Sequence, residues 1–388
     1  MITKFNNIEY LKILEAIKTR NENKIKQKID EIRVFFELSR TNDKKIKKFL
    51  EENSWEDLEK LLFLLFKYSK RNENYIDFKY INPLLWFLDK TKYKKKLKIL
   101  SQKEIYKVLK MEPFKEEFYK KDDLKIKQMS KDTNFSVVVF SPNQYSLYSL
   151  GIVELLKRNN ITINKVYVKN IFSINRFKNE LKFGGKKFLK KIWRKLILRK
   201  SENKGKNKNN IENYLKENNI KKENIKKWCS KNNIFYQVVD NFNDENVVKE
   251  IKEINPTIIV FTGGGILKKQ VLMASKIGVL NCHMGILPNY RGMDIIQWAI
   301  LEKRLDLIGL SCHIMTEKID EGPIVSNLNI DISKLENIGE KRNLIEANMP
   351  KFLLDNILKL KVEAKAYIQK REEGIVYFKM HPLLEKKL

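Results

Sequence analysis

The sequence contains few cysteines and no long hydrophobic run. Three cysteines in 388 residues do not make a disulfide framework, and no Cys/His spacing is typical of a metal site. The longest apolar stretches, such as residues 61–66 and 258–261, are far shorter than the roughly 20 residues that cross a bilayer. The first ten residues lack the apolar core of a cleavable signal. These absences predict a cytoplasmic protein without a bound metal.

Acidic residues are scarce relative to basic ones. The chain has 78 lysines and arginines against 48 aspartates and glutamates, a formal net charge of +30. Such an excess is typical of proteins that bind nucleic acid or an anionic membrane surface. It also arises when a composition dense in lysine, asparagine and isoleucine makes lysine the default surface residue. The total charge leaves both interpretations open.

Residues 1–130 carry apolar side chains at helical spacing and show no strand run or catalytic motif. The spacing is clearest in segments 24–40, 55–68 and 84–100. Asn53-Ser54 followed by Asp57 predicts a helix start at Trp55. We therefore predict an all-helical N-terminal domain, to which the pattern assigns no role.

The pattern changes at residue 134 to short β-branched runs separated by helical stretches. Strands that alternate with helices predict an α/β domain with a Rossmann-like, largely parallel sheet over residues 134–330. Residues 331–388 are predicted to form a C-terminal helix, from about 346 to 370, and a short extended tail at 374–378. The predicted strands are 135–140, 163–168, 235–239, 257–261, 279–283, 309–315 and 324–328, and the helices between them include 245–254 and 295–301.

A basic insert at residues 171–210 interrupts this domain. Residues 171–208 contain fourteen basic and two acidic side chains, a net charge of +12. Apolar residues around Trp193 recur at helical spacing, which predicts a basic amphipathic helix. Such a helix suits an anionic membrane surface, so a location at the periphery of the membrane is one interpretation. A solvated loop with exposed lysines is the other.

A polar pair lies at the end of the predicted strand 279–283. Side chains two apart on a strand share a face, so Asn281 and His283 project together while Cys282 points away. Glycines and a proline follow, and Asp320 lies in the turn after the next strand. Open α/β sheets place ligands at the carboxyl ends of strands. These three residues are therefore the candidate catalytic group.

The three side chains suit acyl transfer to an amine. An asparagine amide is a fixed donor for the developing oxyanion, and one such donor supplies roughly 3–4 kcal/mol. A histidine stabilises that oxyanion or transfers a proton near neutral pH, and a carboxylate orients it. A covalent cysteine intermediate is disfavoured, because Cys282 faces away from His283.

This stretch resembles the folate-dependent formyltransferase family, which includes glycinamide ribonucleotide, methionyl-tRNA and amino-sugar formyltransferases. The resemblance rests on an Asn-x-His motif at Asn281 and His283, then Leu287-Pro288, Arg291-Gly292 and Asp320. Residues 255–272 resemble the strand and loop that precede this motif in the family. The similarity covers about residues 134–330.

Membership would imply 10-formyltetrahydrofolate as the donor and two sets of binding residues. The family's substrate-facing turn corresponds to Ser141–Ser146, whose backbone amides suit a phosphate. The folate side is implied to include Gly263, Gly264, Gly265, Ile266, Leu267, Leu287, Pro288, Arg291, Gly292, Thr316, Lys318 and Ile319. The acceptor side is implied to include Ser141, Asn143, Gln144, Tyr145 and Ser146. His313 and His381 are interpreted as structural.

Three hypotheses for the acceptor remain open. The first is a small-molecule amine, the amino group of a nucleotide-linked sugar used in surface polysaccharide, because residues 372–386 resemble tails of formyltransferase-like proteins from polysaccharide clusters. Sugar members often dimerise, so a homodimer goes with this hypothesis. The second is initiator methionyl-tRNA, with residues 171–208 contacting its phosphates. The third is a non-catalytic protein that binds a partner or membrane; the intact triad disfavours it.

Overall fold

The computed structural model describes residues 7–19, 22–40, 43–72, 74–90, 93, 102–114, 126–129, 134–170 and 210–388. The basic segment 171–208, with its predicted amphipathic helix, lies outside the described residues. Among the described residues, no helix combines the length and the apolar character needed to cross a membrane. The described helices are Asn7–Lys18, Glu22–Ser39, Lys44–Glu52, Trp55–Ser69, Phe78–Leu88, Gln102–Val108, Leu147–Arg158, Ile211–Glu217, Ile225–Lys231, Glu245–Ile254, Lys269–Leu272, Ile295–Leu301, Ile338–Glu363 and Pro382–Glu385, with short 3₁₀ turns at Leu305–Leu307 and Arg371–Glu373.

Thirteen strands are seen in the described residues. Three of them lie within residues 1–130, where the sequence predicts helices throughout. The strands are β1 (Tyr75–Ile76), β2 (Glu112–Pro113), β3 (Ile126–Gln128), β4 (Ser136–Ser141), β5 (Thr162–Lys169), β6 (Phe235–Val239), β7 (Ile258–Phe261), β8 (Gly278–His283), β9 (Tyr290–Gly292), β10 (Gly309–Ile314), β11 (Ile324–Asn329), β12 (Lys365–Tyr367) and β13 (Ile375–Tyr377).

Nine of these strands form one mixed sheet in the order β3-β12-β11-β10-β8-β7-β4-β5-β6. The strands from β6 to β8 run parallel, because helical crossovers connect them. The pairs from β8 to β3 are antiparallel. The prediction of a Rossmann-like sheet with helices is confirmed, but antiparallel pairs make up half of the sheet. A short turn without a helix joins β10 to β11, and such a connection gives an antiparallel pair.

The central strands of the parallel half, β4 and β7, are buried on both faces of the sheet. Every side chain of β7 is buried, and Val137–Phe140 of β4 are fully shielded. Phe140 stacks on Phe242 with ring centroids 4.3 Å apart. Strands buried on both faces require this continuous apolar pattern. The rigid core therefore fixes the position of the strand ends that carry polar residues.

The chain divides into two compact units. The helical unit comprises residues 1–118, 292–305 and 376–388, and the sheet unit comprises residues 119–291 and 306–375. The sequence-based boundaries assigned 292–305 to the catalytic domain and 376–388 to a separate tail. The structure groups both with the N-terminal helices instead.

Polar contacts explain why the tail belongs to the helical unit. The amide of the fully buried Asn82 donates to the carbonyl of Lys379 at 3.1 Å and accepts from the amide of His381 at 2.8 Å. Arg33, also buried, donates to the carbonyl of Val376 at 2.8 Å. His381 caps the last helix and lies 3.0 Å from Asp89, in keeping with the structural role predicted for it. The tail thus completes the core of this unit.

The C-terminal helix differs from its predicted bounds. It spans Ile338–Glu363, about eight residues earlier than the predicted 346–370. Asn337 caps its start by accepting from the amide of Glu340, and Ala364 ends it in the left-handed conformation. The following residues pair with β11 and β3 as strand β12, a contact that no local pattern predicts.

Replacing Glu37 by glutamine is expected to stabilise the helical unit above pH 7. Glu37 is 3% exposed, and burial raises its pKa from 4.5 to about 7. The folded state therefore keeps a proton that the unfolded state loses above pH 4.5, so stability falls as pH rises from 4.5 to 7. That fall amounts to about 3 kcal/mol. Thermal unfolding should show a higher Tm for Glu37→Gln at pH 8 and a similar Tm at pH 4.

The exposed Glu51 provides the control for this measurement. Glu51→Gln removes the same charge from a neighbouring helix without changing a buried carboxyl. Its Tm should stay close to that of the unmodified protein at both pH values. A Glu37→Gln protein no more stable than the unmodified protein at pH 8 would contradict the assignment.

Candidate active site

Strand β8 presents its polar residues on one face, as the alternation predicts. In the antiparallel pairing with β10, Asn281 lies opposite His313, and His283 lies opposite Ser311. Cys282 lies opposite Cys312, on the other face. The register therefore adds a second histidine to the predicted group of Asn281, His283 and Asp320.

Short distances join these four side chains. The Nδ2 atom of Asn281 is 3.2 Å from Nε2 of His313. One carboxylate oxygen of Asp320 lies 3.4 Å from that same Nε2, and the other lies 3.4 Å from Nδ1 of His283. Asp320 thus lies between the two imidazoles. The structural role predicted for His313 is incomplete, because its ring contacts two of the candidate catalytic residues.

The hydrogen bonds of His283 define which nitrogen carries a proton. Its Nε2 lies 3.0 Å from the carbonyl oxygen of Tyr290, which only accepts, so Nε2 donates. Burial lowers the pKa of His283, and Asp320 opposes that shift. A neutral His283 therefore presents the lone pair of Nδ1 toward Asp320. The lone pair of Nδ1 and the carboxylate of Asp320 are both acceptors and lie 3.4 Å apart. This pair is therefore suited to take up a proton.

The motif loop comprises residues 284–291, directly after β8. It is held by side chains of the neighbouring strands β10 and β11. Ser311, fully buried, accepts from the amide of Leu287 at 2.8 Å and donates to the carbonyl of Gly285 at 2.6 Å. Asn327 donates to the carbonyl of Leu287 at 2.8 Å. Leu287 and its neighbour Pro288 are buried. These contacts fix the loop directly beyond the candidate catalytic histidine.

Arg291, at the end of this loop, is buried and is not part of the exposed surface. Its side chain is fully buried, and its guanidinium donates to Gln369 and to the carbonyls of Lys370 and Arg371. The resemblance implies a place on the folate side for Arg291. Gly292 follows it with a positive φ of 100°.

The glycine loop after β7 combines an open backbone with one exposed apolar side chain. Gly263, Gly264 and Gly265 all have positive φ, and a Cβ at Gly264 would lie 2.5 Å from the ring of Phe242. Only glycine fits there. Ile266 is 89% exposed, whereas Leu267 is buried in the core. Lys169 donates to the carbonyl of Gly264 and ties this loop to the end of β5.

The turn predicted on the acceptor side follows β4. Ser141 is buried, and its hydroxyl contacts that of Ser149 at 2.7 Å. Ser146 caps the helix that begins at Leu147, and Asn143 accepts from the amide of Tyr145. The serine hydroxyls therefore hold the turn together. Tyr145 is half exposed, and Asn143 and Gln144 are partly exposed.

The turn between β10 and β11 is exposed except near Asp320. Thr316 donates to the carbonyl of Lys318 at 3.3 Å, and Lys318 lies 3.5 Å from Glu321. Ile319 is 49% exposed. Within the described part of the chain, no cluster of three or more His, Cys, Asp or Glu side chains has a geometry that holds a metal.

The mixed sheet, its flanking helices and the polar group at β8 define an α/β protein with a Rossmann-like sheet. Residues 186–357 match the family model described as formyl transferase, and this segment includes Asn281, His283, His313 and Asp320. This segment of the chain is thus similar to the formyl transferase family.

Two curated relatives show the extent of the similarity. The methionyl-tRNA formyltransferase of Thermodesulfovibrio yellowstonii is 34% identical over 114 residues, which cover 28% of this chain and 37% of the relative. That of Clostridioides difficile is 31% identical over 162 residues, covering 41% of this chain and 50% of the relative. The chain therefore spans half or less of the length of each. A sugar N-formyltransferase structure from Shewanella sp. aligns at 15% identity and a TM-score of 0.38, covering 63% of this chain and 76% of that one.

Replacing His313 by leucine is expected to lower kcat for formyl transfer by about 100-fold. The reason is that Asn281 and Asp320 lose the ring that lies between them, so both side chains move from their present positions. Steady-state kinetics measures the effect. Cys312→Ala is the matched control, because Cys312 is equally buried but lies on the other face of the sheet. Equal kcat values for the two variants would contradict a role for His313.

Proposed function

We propose that the protein transfers a formyl group from 10-formyltetrahydrofolate to an amine. The observation that supports this function is the approach of Asn281, His283 and Asp320 within one site at the end of β8. The family match over residues 186–357 supports the same reaction class. Together these three side chains provide an oxyanion donor, a proton acceptor and a carboxylate that orients the acceptor.

The loops proposed to hold the donor have suitable surfaces. Ile266 and Ile319 are exposed apolar side chains on two such loops. The flat faces of a pteridine suit aliphatic side chains, and its polar edges suit the open backbone of Gly263–Gly265. When bound, the donor supplies the formyl carbon that the amine attacks.

Each residue of the site has a separate part in that attack. The amide of Asn281 donates to the oxygen on which negative charge develops. Neutral His283 accepts a proton from the attacking nitrogen at Nδ1, because Tyr290 already holds the proton on Nε2. Asp320, 3.4 Å from Nδ1, stabilises the imidazolium that results. The bond from the formyl carbon to the donor nitrogen then breaks, and the imidazolium of His283 returns the proton to that leaving nitrogen. No covalent intermediate with the protein is needed.

We propose a nucleotide-linked amino sugar as the acceptor. The supporting feature is the tail at residues 372–386, which resembles tails of formyltransferase-like proteins from polysaccharide clusters. Initiator methionyl-tRNA is the second candidate. It is favoured by the names of the curated relatives and by the net charge of +12 over residues 171–208.

Release of tetrahydrofolate tests these proposals. The purified protein is mixed with 10-formyltetrahydrofolate and, separately, with nucleotide-linked amino sugars, initiator methionyl-tRNA or glycinamide ribonucleotide. Release that requires an amino sugar supports the first acceptor, and release that requires the tRNA supports the second. No release with any acceptor, together with no donor binding by calorimetry, would contradict the reaction and favour a non-catalytic binding protein.

A further inference from the structure

Asp320 occupies a backbone conformation that its surroundings must maintain. Its φ is +50°, in the left-handed region, which is unfavourable for residues other than glycine although aspartate adopts it more often than most. Such a conformation persists only where neighbouring groups impose it. Two residues later, a Cβ at Gly322 would lie 1.7 Å from the carbonyl oxygen of Ile314, so this turn packs tightly against the end of β10.

The side chain of Gln369 contacts this turn directly. Its Nε2 donates to the carbonyl of Asp320 at 2.8 Å and to that of Gly322 at 2.6 Å. Gln369 is 7% exposed, so water does not compete for these bonds. One buried amide thus binds two carbonyls of the turn that carries the candidate catalytic carboxylate.

The other end of the same amide binds the motif loop. Oε1 of Gln369 accepts from Nε of Arg291 at 3.2 Å and from Nη2 at 3.0 Å. Carbonyl oxygens only accept and a guanidinium only donates, so the orientation of the amide is fixed by its partners. A carboxylate at position 369 would face two carbonyls without a proton to share, and an aliphatic side chain would lose every bond.

The segment around Gln369 also packs on the motif loop through its backbone. The amide of Ile375 donates to the carbonyl of Asn289 at 3.1 Å. A Cβ at Gly374 would lie 1.6 Å from the carbonyl oxygen of Pro288. Gln369 therefore reaches the Asp320 turn from a segment that is itself anchored to the loop after His283.

We propose that Gln369 is a positioning residue that holds Asp320 against His283 and His313. Position 369 lies outside the segment matched by the family model, 186–357. Its role in formyl transfer rests on the proposed function, but its effect on the geometry of the site does not. Gln369 acts through the backbone of Asp320 and contacts no reacting atom.

Gln369→Met tests the proposal, since methionine has a similar length and no charge. We expect kcat to fall by about 100-fold, because loss of the bonds to the Asp320 turn displaces the carboxylate. Asn356→Leu is the matched control: Asn356 is 2% exposed in the same unit, and its amide also binds a backbone carbonyl. The control should lose stability without losing kcat.

A second readout needs no substrate and separates this proposal from the proposed function. The chain has only three histidines, so the ring signals of labelled protein are followed individually by NMR. His283 is faced by Asp320, His313 and the carbonyl of Tyr290. Since Asp320 favours the charged imidazole, Asp320→Asn should move the titration of His283 to lower pH. Gln369→Met should move it in the same direction.

The outcomes are distinct. A His283 titration in Gln369→Met that matches the unmodified protein would overturn the proposal, even if kcat fell. A shift toward lower pH supports it, including in a protein that transfers no formyl group, where only the proposed function would fail. If Gln369→Met does not fold, Gln369→Asn serves instead, because its amide is one methylene shorter and does not reach both Arg291 and the turn.

Discussion

His283→Ala is expected to lower kcat for formyl transfer by about 10²–10⁴-fold, the usual contribution of a positioned general base. The tautomer set by Tyr290 leaves Nδ1 as the proton acceptor, and alanine supplies no substitute. The KM for the donor should change less than kcat, because the bond from the imidazole to the carbonyl of Tyr290 is one of several that hold the motif loop. Steady-state measurement of tetrahydrofolate release, with the acceptor found by the panel, gives both parameters.

His381→Asn is the control for this experiment. His381 is as buried as His283, but it caps a short helix in the helical unit, and asparagine retains that capping ability. The control should keep the kcat of the unmodified protein. A His283→Ala protein that folds and loses less than about 10-fold in kcat would show that proton transfer does not depend on His283.

Local sequence patterns predict the bounds of those helices whose start and stop signals lie within a few residues. Ser54 and Asp57 form the reciprocal capping box at the helix start predicted for Trp55. Helices Glu245–Ile254 and Ile295–Leu301 have the predicted bounds. The predicted C-terminal helix begins about eight residues too late, because the observed start signal, Asn337 followed by Glu340, lies in a polar stretch with few apolar residues.

The candidate site likewise contains some residues that a local pattern predicts and others that it does not. Asn281 and His283 were predictable, because residues two apart on a strand share a face. His313 was not, since its distance from Asn281 depends on the antiparallel register of β10 against β8, which neither strand encodes alone. Gln369 was less predictable still, because it reaches Asp320 from 49 residues away along the chain.

The antiparallel half of the sheet explains how the site acquires its second histidine. The chain between β8 and β10 contains the helix Ile295–Leu301, yet β10 does not pair with β8 in the parallel sense. The observed pairing instead places His313 directly opposite Asn281, and the short β10–β11 turn brings Asp320 back to both imidazoles. The departure from the predicted parallel sheet is therefore what assembles the four side chains.

Asn281→Ala is expected to lower kcat by about 10²–10³-fold, the loss typical of one oxyanion donor. Its amide points along the polar face of β8, 3.2 Å from His313, and alanine offers no hydrogen there. Donor affinity should be retained, because the interaction with the oxygen strengthens only as negative charge develops. Calorimetry of donor binding and steady-state kinetics measure the two quantities separately.

The double variant Asn281→Ala/His283→Ala makes this prediction sharper. When two residues act on the same transition state, the losses of kcat caused by replacing each one do not multiply. The double variant should therefore lose much less than the product of the two single losses. Cys282→Ala lies between them on the opposite face and should leave kcat unchanged. Fully multiplicative losses, or a Cys282→Ala protein as impaired as Asn281→Ala, would mean that the polar face of β8 does not act as one catalytic group.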